Sequence, residues 1–183
     1  MEDLLVKKAI VSEVEREIKE EAENKETLQY LNPSFKINEC HRCVKFIRNP
    51  REVRRTCVKM QMLTGTYPLQ ATRAKLKQTS DPRCQICKTE EEDLVHCLIL
   101  CPETQSIRKE QMPRVLNSIP YVLENLGTIL HTPRLMTQLI IDLTHPHVTG
   151  LMTLPKQCEE KLERAARNFC FAIHLARCHK LCI

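Results

Sequence analysis

Within the segment RCQICKTEEEDLVHCLILCP, residues 83–102, two cysteines stand two residues apart, and a histidine and a further cysteine follow. The pattern is Cys84-x2-Cys87-x8-His96-x4-Cys101, three thiols and one imidazole. Such a donor set closes tetrahedrally on one zinc ion, and the free energy of binding a structural zinc is also folding free energy. Cysteines at x2 spacing reach a metal from a single turn. A helix-borne histidine with a cysteine beyond it completes the tetrahedron from the other side. The bland alternative is a set of buried thiols and a satisfied core histidine. All four ligand types at workable spacing favour the metal. Cys97 neighbours His96 and points about 100° away on a helix, so it is expected to pack, although it is a conceivable substitute ligand.

Other constellations are weaker. Arg51, Arg54, Arg55 and Lys59 fall on one face of a predicted helix, and Arg73, Lys75 and Lys77 follow on a second. Arginine and lysine neutralise phosphates and give salt-dependent binding that is largely blind to sequence. These seven residues are the candidate nucleic-acid contacts, and a solvated helix face is the alternative. Few aromatics lie nearby, so base stacking is a minor theme. Cys40-His41-Arg42-Cys43 looks like half of a second metal site without a partner pair. Cys170, His174, Cys178 and Cys182 recur every four residues, which reads as a packing seam rather than a ligand set. There is no Walker loop, Gly-rich dinucleotide turn, nucleophile elbow or adjacent Asp pair, so no catalytic residue is assigned and no enzyme is expected.

The elements that must position these residues read as helices. Residues 2–30 carry Leu4, Leu5, Ile10, Val11, Val14 and Ile18 at roughly helical spacing, and Asn32-Pro33 breaks the run. Residues 35–48 are ambiguous. Asn49-Pro50 is a strong helix start for a helix to about Leu63, with Val53, Cys57 and Met60 on the apolar face and Gly65 as its left-handed cap. A short basic helix is expected at about Leu69–Lys77. Thr89 and Glu92 fit a capping box for a helix to Leu100, with His96 in its latter half. Further helices are expected at about 103–117, 119–130, 133–143 and 155–181. The fold class is therefore mainly α: a helical domain with a small CCHC zinc module and an N-terminal helical arm. Its segments are an acidic arm (1–34), a basic segment (35–82), the zinc module (83–102) and a C-terminal helical segment (103–183).

Composition agrees. Three Gly in 183 residues leave few positions for hairpin turns, and 42% apolar content is ample for a core with no Trp. The net charge of +5 is unevenly spread. Residues 1–30 carry 5 basic and 9 acidic groups, whereas residues 31–80 carry 11 basic and 2 acidic. The positive charge is concentrated ahead of the cysteine motif, a footprint for a polyanion. The charged N-terminus lacks a signal peptide, and no apolar run suits a membrane span. An intracellular location, nuclear or cytoplasmic, is expected, and the 11 cysteines then read as ligands and buried thiols.

The blocks MLTGTYPLQATRAKL (62–76) and RCQICKTEEEDLVHCLILCP (83–102) resemble the zinc-binding region that follows the polymerase domain in non-LTR retrotransposon reverse transcriptases. LQYLNPSFK (28–36) and NPREVRRTCVKMQML (49–63) are similar to what precedes that region, and NFCFAIHLAR (168–177) to its extreme C-terminus. The resemblance implies zinc held by Cys84, Cys87, His96 and Cys101, and a part in holding RNA or DNA. The polymerase's catalytic aspartates and the endonuclease have no counterpart here. A non-enzymatic zinc- and nucleic-acid-binding module is the expectation. The alternatives are a zinc-stapled module whose N-terminal or last helix docks a protein, or a remnant without function.

Overall fold

The computed structural model describes residues 2–36, 39–120 and 126–182, and among them the architecture is mainly α. α1 (Glu2–Glu23) is tied along its own length by Arg16 to Glu13 and Glu20. The Asn24 amide bonds the Glu20 carbonyl at 2.8 Å, and the helix closes there rather than at residue 30. A 3-10 turn at Glu26–Leu28 follows, and the chain enters the core at Tyr30. Asn32 then anchors the break. Its N–H donates to Asp142 at 2.9 Å, and its side chain donates to the Thr144 carbonyl at 2.8 Å. The ambiguous stretch contains α2 (Arg42–Lys45).

α3 (Pro50–Leu63) starts as its sequence dictates: the Asn49 side chain accepts from the Glu52 N–H, and Pro50 occupies the first turn. Gly65 takes the left-handed conformation at φ +66°, and a Cβ there would meet the Thr27 carbonyl oxygen at 2.4 Å. Only glycine fits. The face that α3 buries differs from the expected one. Glu52, Thr56, Lys59 and Leu63 point inward beside Val58 and Met62, while Val53 is 47% exposed and Cys57 lies outside. The cause lies across the interface, on the last helix.

α4 (Gln70–Lys75) is shorter than expected. Beyond the cysteine segment come α5 (Gln105–Leu116), α6 (Leu126–His131), α7 (Pro133–Ile141), α8 (Pro146–Thr149) and α9 (Lys156–Leu181). Residues 121–125 of the helix expected at 119–130 lie outside the described residues. α9 is the spine. It packs on α3 along one side and on α5 along the other, and α7 lies beneath with residues 136–141 all buried. One buried cluster draws apolar side chains from Tyr30 to Ile173, so the four sequence segments share a core.

Between α3 and α9 lies an ionic layer. Lys59 Nζ donates to both carboxylate oxygens of Glu163 at 2.7 Å, with both side chains 1–2% exposed. Arg167, equally buried, donates to Thr56 Oγ1 and to the Phe46 carbonyl at 3.2 Å and lies 3.9 Å from Glu52. Charged residues on a helix read as solvated in a sequence, which is why helical periodicity puts the buried face of α3 on the wrong side. Asp142 makes a second buried carboxylate joint, after α7. Burial alone would raise its pKa, but the approach of His41 at 3.6 Å and hydrogen bonds from Thr144 outweigh that and hold it at about 2.

Lys59→Met leaves the buried Glu163 with only a 4.0 Å approach of Arg167 and is expected to cost about 3 kcal/mol in urea unfolding, while the double variant Lys59→Met/Glu163→Leu recovers most of that loss. A single variant as stable as the parent would refute the ionic layer.

Candidate metal centre

The cysteine segment is built by a knuckle followed by a helical turn. An antiparallel bridge pairs Arg83 with Glu91, and the Cys84 N–H donates to the Glu90 carbonyl at 2.7 Å. Between them the chain turns through Cys84-Gln85-Ile86-Cys87, with Lys88 left-handed at φ 61°. The next helix begins later than expected. Asp93, not Thr89, supplies the cap: its carboxylate accepts from the His96 N–H at 2.7 Å. Glu91 is used in the bridge, Glu92 turns inward, and the Thr89 hydroxyl donates to Cys87 Sγ at 3.2 Å. His96 therefore sits early in the turn rather than in its latter half. The turn is π-wound from His96 to Leu100, and Cys101 follows as its C-terminal cap.

This geometry brings Cys84, Cys87, His96 and Cys101 together, with one ligand atom from each, all within 4.8 Å of one another. Cys84 Sγ and Cys101 Sγ lie 4.0 Å apart, and Cys87 Sγ lies 3.3 Å from His96 Nε2. Tetrahedral bonds of about 2.3 Å to sulfur and 2.0 Å to nitrogen put sulfurs about 3.8 Å apart and sulfur and nitrogen about 3.5 Å apart. The donor set fits a metal ion of that coordination. His96 Nδ1 meets the Glu90 carboxylate at 3.1 Å, which orients the ring with Nε2 toward the thiols, as carboxylates commonly do behind metal-bound histidines. Cys97 is fully buried and outside the cluster, as its direction on the helix dictates.

The thiols are not equivalent. Burial pushes Cys84 and Cys101 up. Burial acts in the same sense on Cys87, but hydrogen bonds from the Thr89 hydroxyl and from the Thr89 and Glu90 backbone N–H groups prevail and hold it well below the ordinary thiol range. A divalent ion entering this cluster displaces the remaining thiol protons, so its affinity rises with pH.

Glu92 is the residue that composition hides. It is 1% exposed and accepts two parallel bonds of 2.9 Å from the Arg177 guanidinium on α9. Its carboxylate also accepts the Gln70 N–H at 2.9 Å and lies 3.7 Å from Cys84 Sγ. Arg177 further donates to the Pro68 carbonyl and lies over the Tyr67 ring. The ligand cluster is thereby bolted to α4 and α9. No local pattern marks this pair. The one hint is an arginine within the apolar run NFCFAIHLAR.

The candidate nucleic-acid residues separate. Arg51 and Arg54 are exposed, and Arg55 is half-buried with a 2.8 Å bond to Asn168. Lys59 is removed from the set, because it is sealed against Glu163 and cannot reach a phosphate. Arg73 and Lys75 line a cleft of about 860 Å³ that also carries Glu26, Glu91 and Asp93, and Lys75 pairs with Glu26 at 2.5 Å. Lys77 is exposed. The excess charge of residues 31–80 is also partly met by α9, where Glu159 and Glu160 pair with Arg42 and Arg48. Those acids lie more than a hundred residues away in sequence. The other cysteine motifs build no cluster among the described residues: His41 faces Asp142, Cys43 and Cys170 are buried, and His174 bonds the Tyr67 hydroxyl at 3.0 Å.

Cys84→Ser is expected to lower bound metal, measured by elemental analysis after purification under reducing conditions, to near zero, whereas Cys97→Ser leaves it at the parent level. Loss of metal in the Cys97 variant alone would move the site. No family model, curated protein or solved structure matches the chain.

Proposed function

We propose that the chain is a non-enzymatic zinc-binding module that holds RNA or DNA through phosphate contacts. The observation that carries this reading is the convergence of Cys84, Cys87, His96 and Cys101 within 4.8 Å, a donor set of three thiols and an imidazole that suits zinc. Zinc here closes the knuckle and fixes the segment against α4 and α9; it supplies no reaction. The phosphate contacts come from Arg51, Arg54 and Arg55 on α3 and from Arg73, Lys75 and Lys77 on and after α4. Arg51, Arg54 and Arg55 have no ion pair among the described residues, and Arg51 and Arg54 are exposed, whereas Arg55 is half-buried against Asn168. The resemblance of residues 62–102 to the zinc-binding region of non-LTR retrotransposon reverse transcriptases supports the same reading, without polymerase or endonuclease.

A protein-docking role has one observation in its favour. Val6, Ile10, Val11, Val14 and Ile18 are 40–58% exposed along α1, an aliphatic stripe with nothing packed on it among the described residues. In that reading zinc only staples the helices, and α1 meets a protein.

Gel mobility shifts with RNA and duplex DNA at two salt concentrations separate the two. Affinity is expected to fall roughly tenfold or more between 50 and 200 mM salt, and Arg51→Glu/Arg54→Glu is expected to weaken it further. Binding that ignores both salt and charge reversal favours protein docking.

A further inference from the structure

We propose that a single nucleic-acid strand lies along the outer face of α9, in a basic groove walled by the loop ahead of α3 on one side and by α5 on the other. This rests on the nucleic-acid reading above and says where the strand sits. The groove has a volume of about 490 Å³. Arg48, Arg114, Lys161 and Arg164 line it, with Glu160 as the only acid among its lining residues. None of these four cations stands out in the sequence. They come from three separate segments, and α9 taken alone looks balanced by its own glutamates.

Glu160 does not cancel the groove. Its carboxylate holds Arg48 and accepts from Arg164 at 3.2 Å, so one acid fixes two guanidiniums at the groove wall. Lys161 is exposed and has no ion pair among the described residues, and Arg114 is held by a 3.8 Å approach to Glu110 and a long 3.4 Å bond to Gln111. Glu52 also approaches Arg164 at 3.8 Å, so four cations face three carboxylates, and the net excess of positive charge lies in a recess, where low-dielectric walls concentrate the field.

The groove also leads to an aromatic ring. Lys161, Arg164, Asn168 and Phe171 follow one another at helical spacing on the same face of α9. At 1.5 Å per residue they span about 15 Å. Asn168 lines the groove and accepts from Arg55 at 2.8 Å. One turn on, the half-buried Phe171 ring carries Arg54 and Arg55 with their guanidinium carbons 5.7 and 5.9 Å from its centre. Phosphate-binding cations in a track that ends at guanidinium planes over an aromatic ring match the way single strands are held, backbone in a basic groove and bases on flat groups. A duplex presents its phosphates on a convex cylinder and would touch only the rim. An acidic peptide would use the cations but not the ring.

The test is fluorescence anisotropy with the full chain, zinc-loaded, against a labelled single-stranded RNA, a hairpin duplex of the same length and polyglutamate of matched charge. Lys161→Glu/Arg114→Glu reverses two exposed residues, so the fold should survive, and circular dichroism checks that it does. Single-strand affinity is expected to drop at least tenfold and the salt slope by about two, one for each phosphate no longer neutralised. Phe171→Leu is expected to weaken single-strand binding while leaving the salt slope unchanged. The reversal Lys25→Glu/Lys36→Glu, with the same charge change outside the groove's lining, should alter affinity less than threefold. Equal losses in the two double variants would overturn the groove, as would duplex or polyglutamate binding as tight as the single strand. If the parent chain binds no nucleic acid at low salt, the functional reading itself fails; if it binds and the groove variants match it, only the groove fails.

Discussion

A buried carboxylate needs cations or hydrogen-bond donors to meet it, and two ion pairs hold this molecule to its last helix. Glu163 meets Lys59 from α3, and Glu92 meets Arg177 from the other direction. Both carboxylates are about 1% exposed, so neither element can slide or rotate without stranding a charge. The apolar core supplies the bulk of the stabilisation, but it is largely indifferent to register. The ion pairs set which face of α3 turns inward and where the cysteine segment sits along α9.

The metal centre depends on the second pair. Glu92 lies in the chain between the knuckle at 84–87 and the π-wound turn at 96–100. Its carboxylate is taken by Arg177 and the Gln70 N–H, which anchors the link between the knuckle and the turn whose His96 Nε2 lies 3.3 Å from Cys87 Sγ. Glu90, two residues before, is left to hold the other ring nitrogen. The same constraint divides the surface. It turns Lys59 from a surface cation into a core one and leaves Arg51 and Arg54 exposed and Arg55 half-buried at the edge of the α3–α9 contact, where Arg55 bonds Asn168.

Features that depend on local chemistry are legible in the sequence. The Asn49-Pro50 start of α3, the left-handed Gly65 and the four converging ligands all follow from residues within a few turns of one another. Features that depend on partners far along the chain are not. Arg42, Arg48 and Lys59 look like unbalanced charge until Glu159, Glu160 and Glu163 fold against them. The run Glu90-Glu91-Glu92 looks like the first turn of a helix, yet its members go separately to a histidine, a bridge and a buried arginine. Thr89 looks like a cap in the sequence, and only the knuckle's geometry gives that role to Asp93. Polar residues with tertiary roles carry no periodic signal that separates them from solvated ones.

Everything at the cysteine segment turns on whether Cys84, Cys87, His96 and Cys101 together hold one zinc ion. X-ray absorption at the zinc edge of the purified chain tests this most directly. A four-coordinate zinc is expected, with three sulfur neighbours at about 2.3 Å and one nitrogen neighbour at about 2.0 Å. A shell of four sulfurs, which would bring Cys97 in for His96, or one dominated by nitrogen and oxygen, would contradict it.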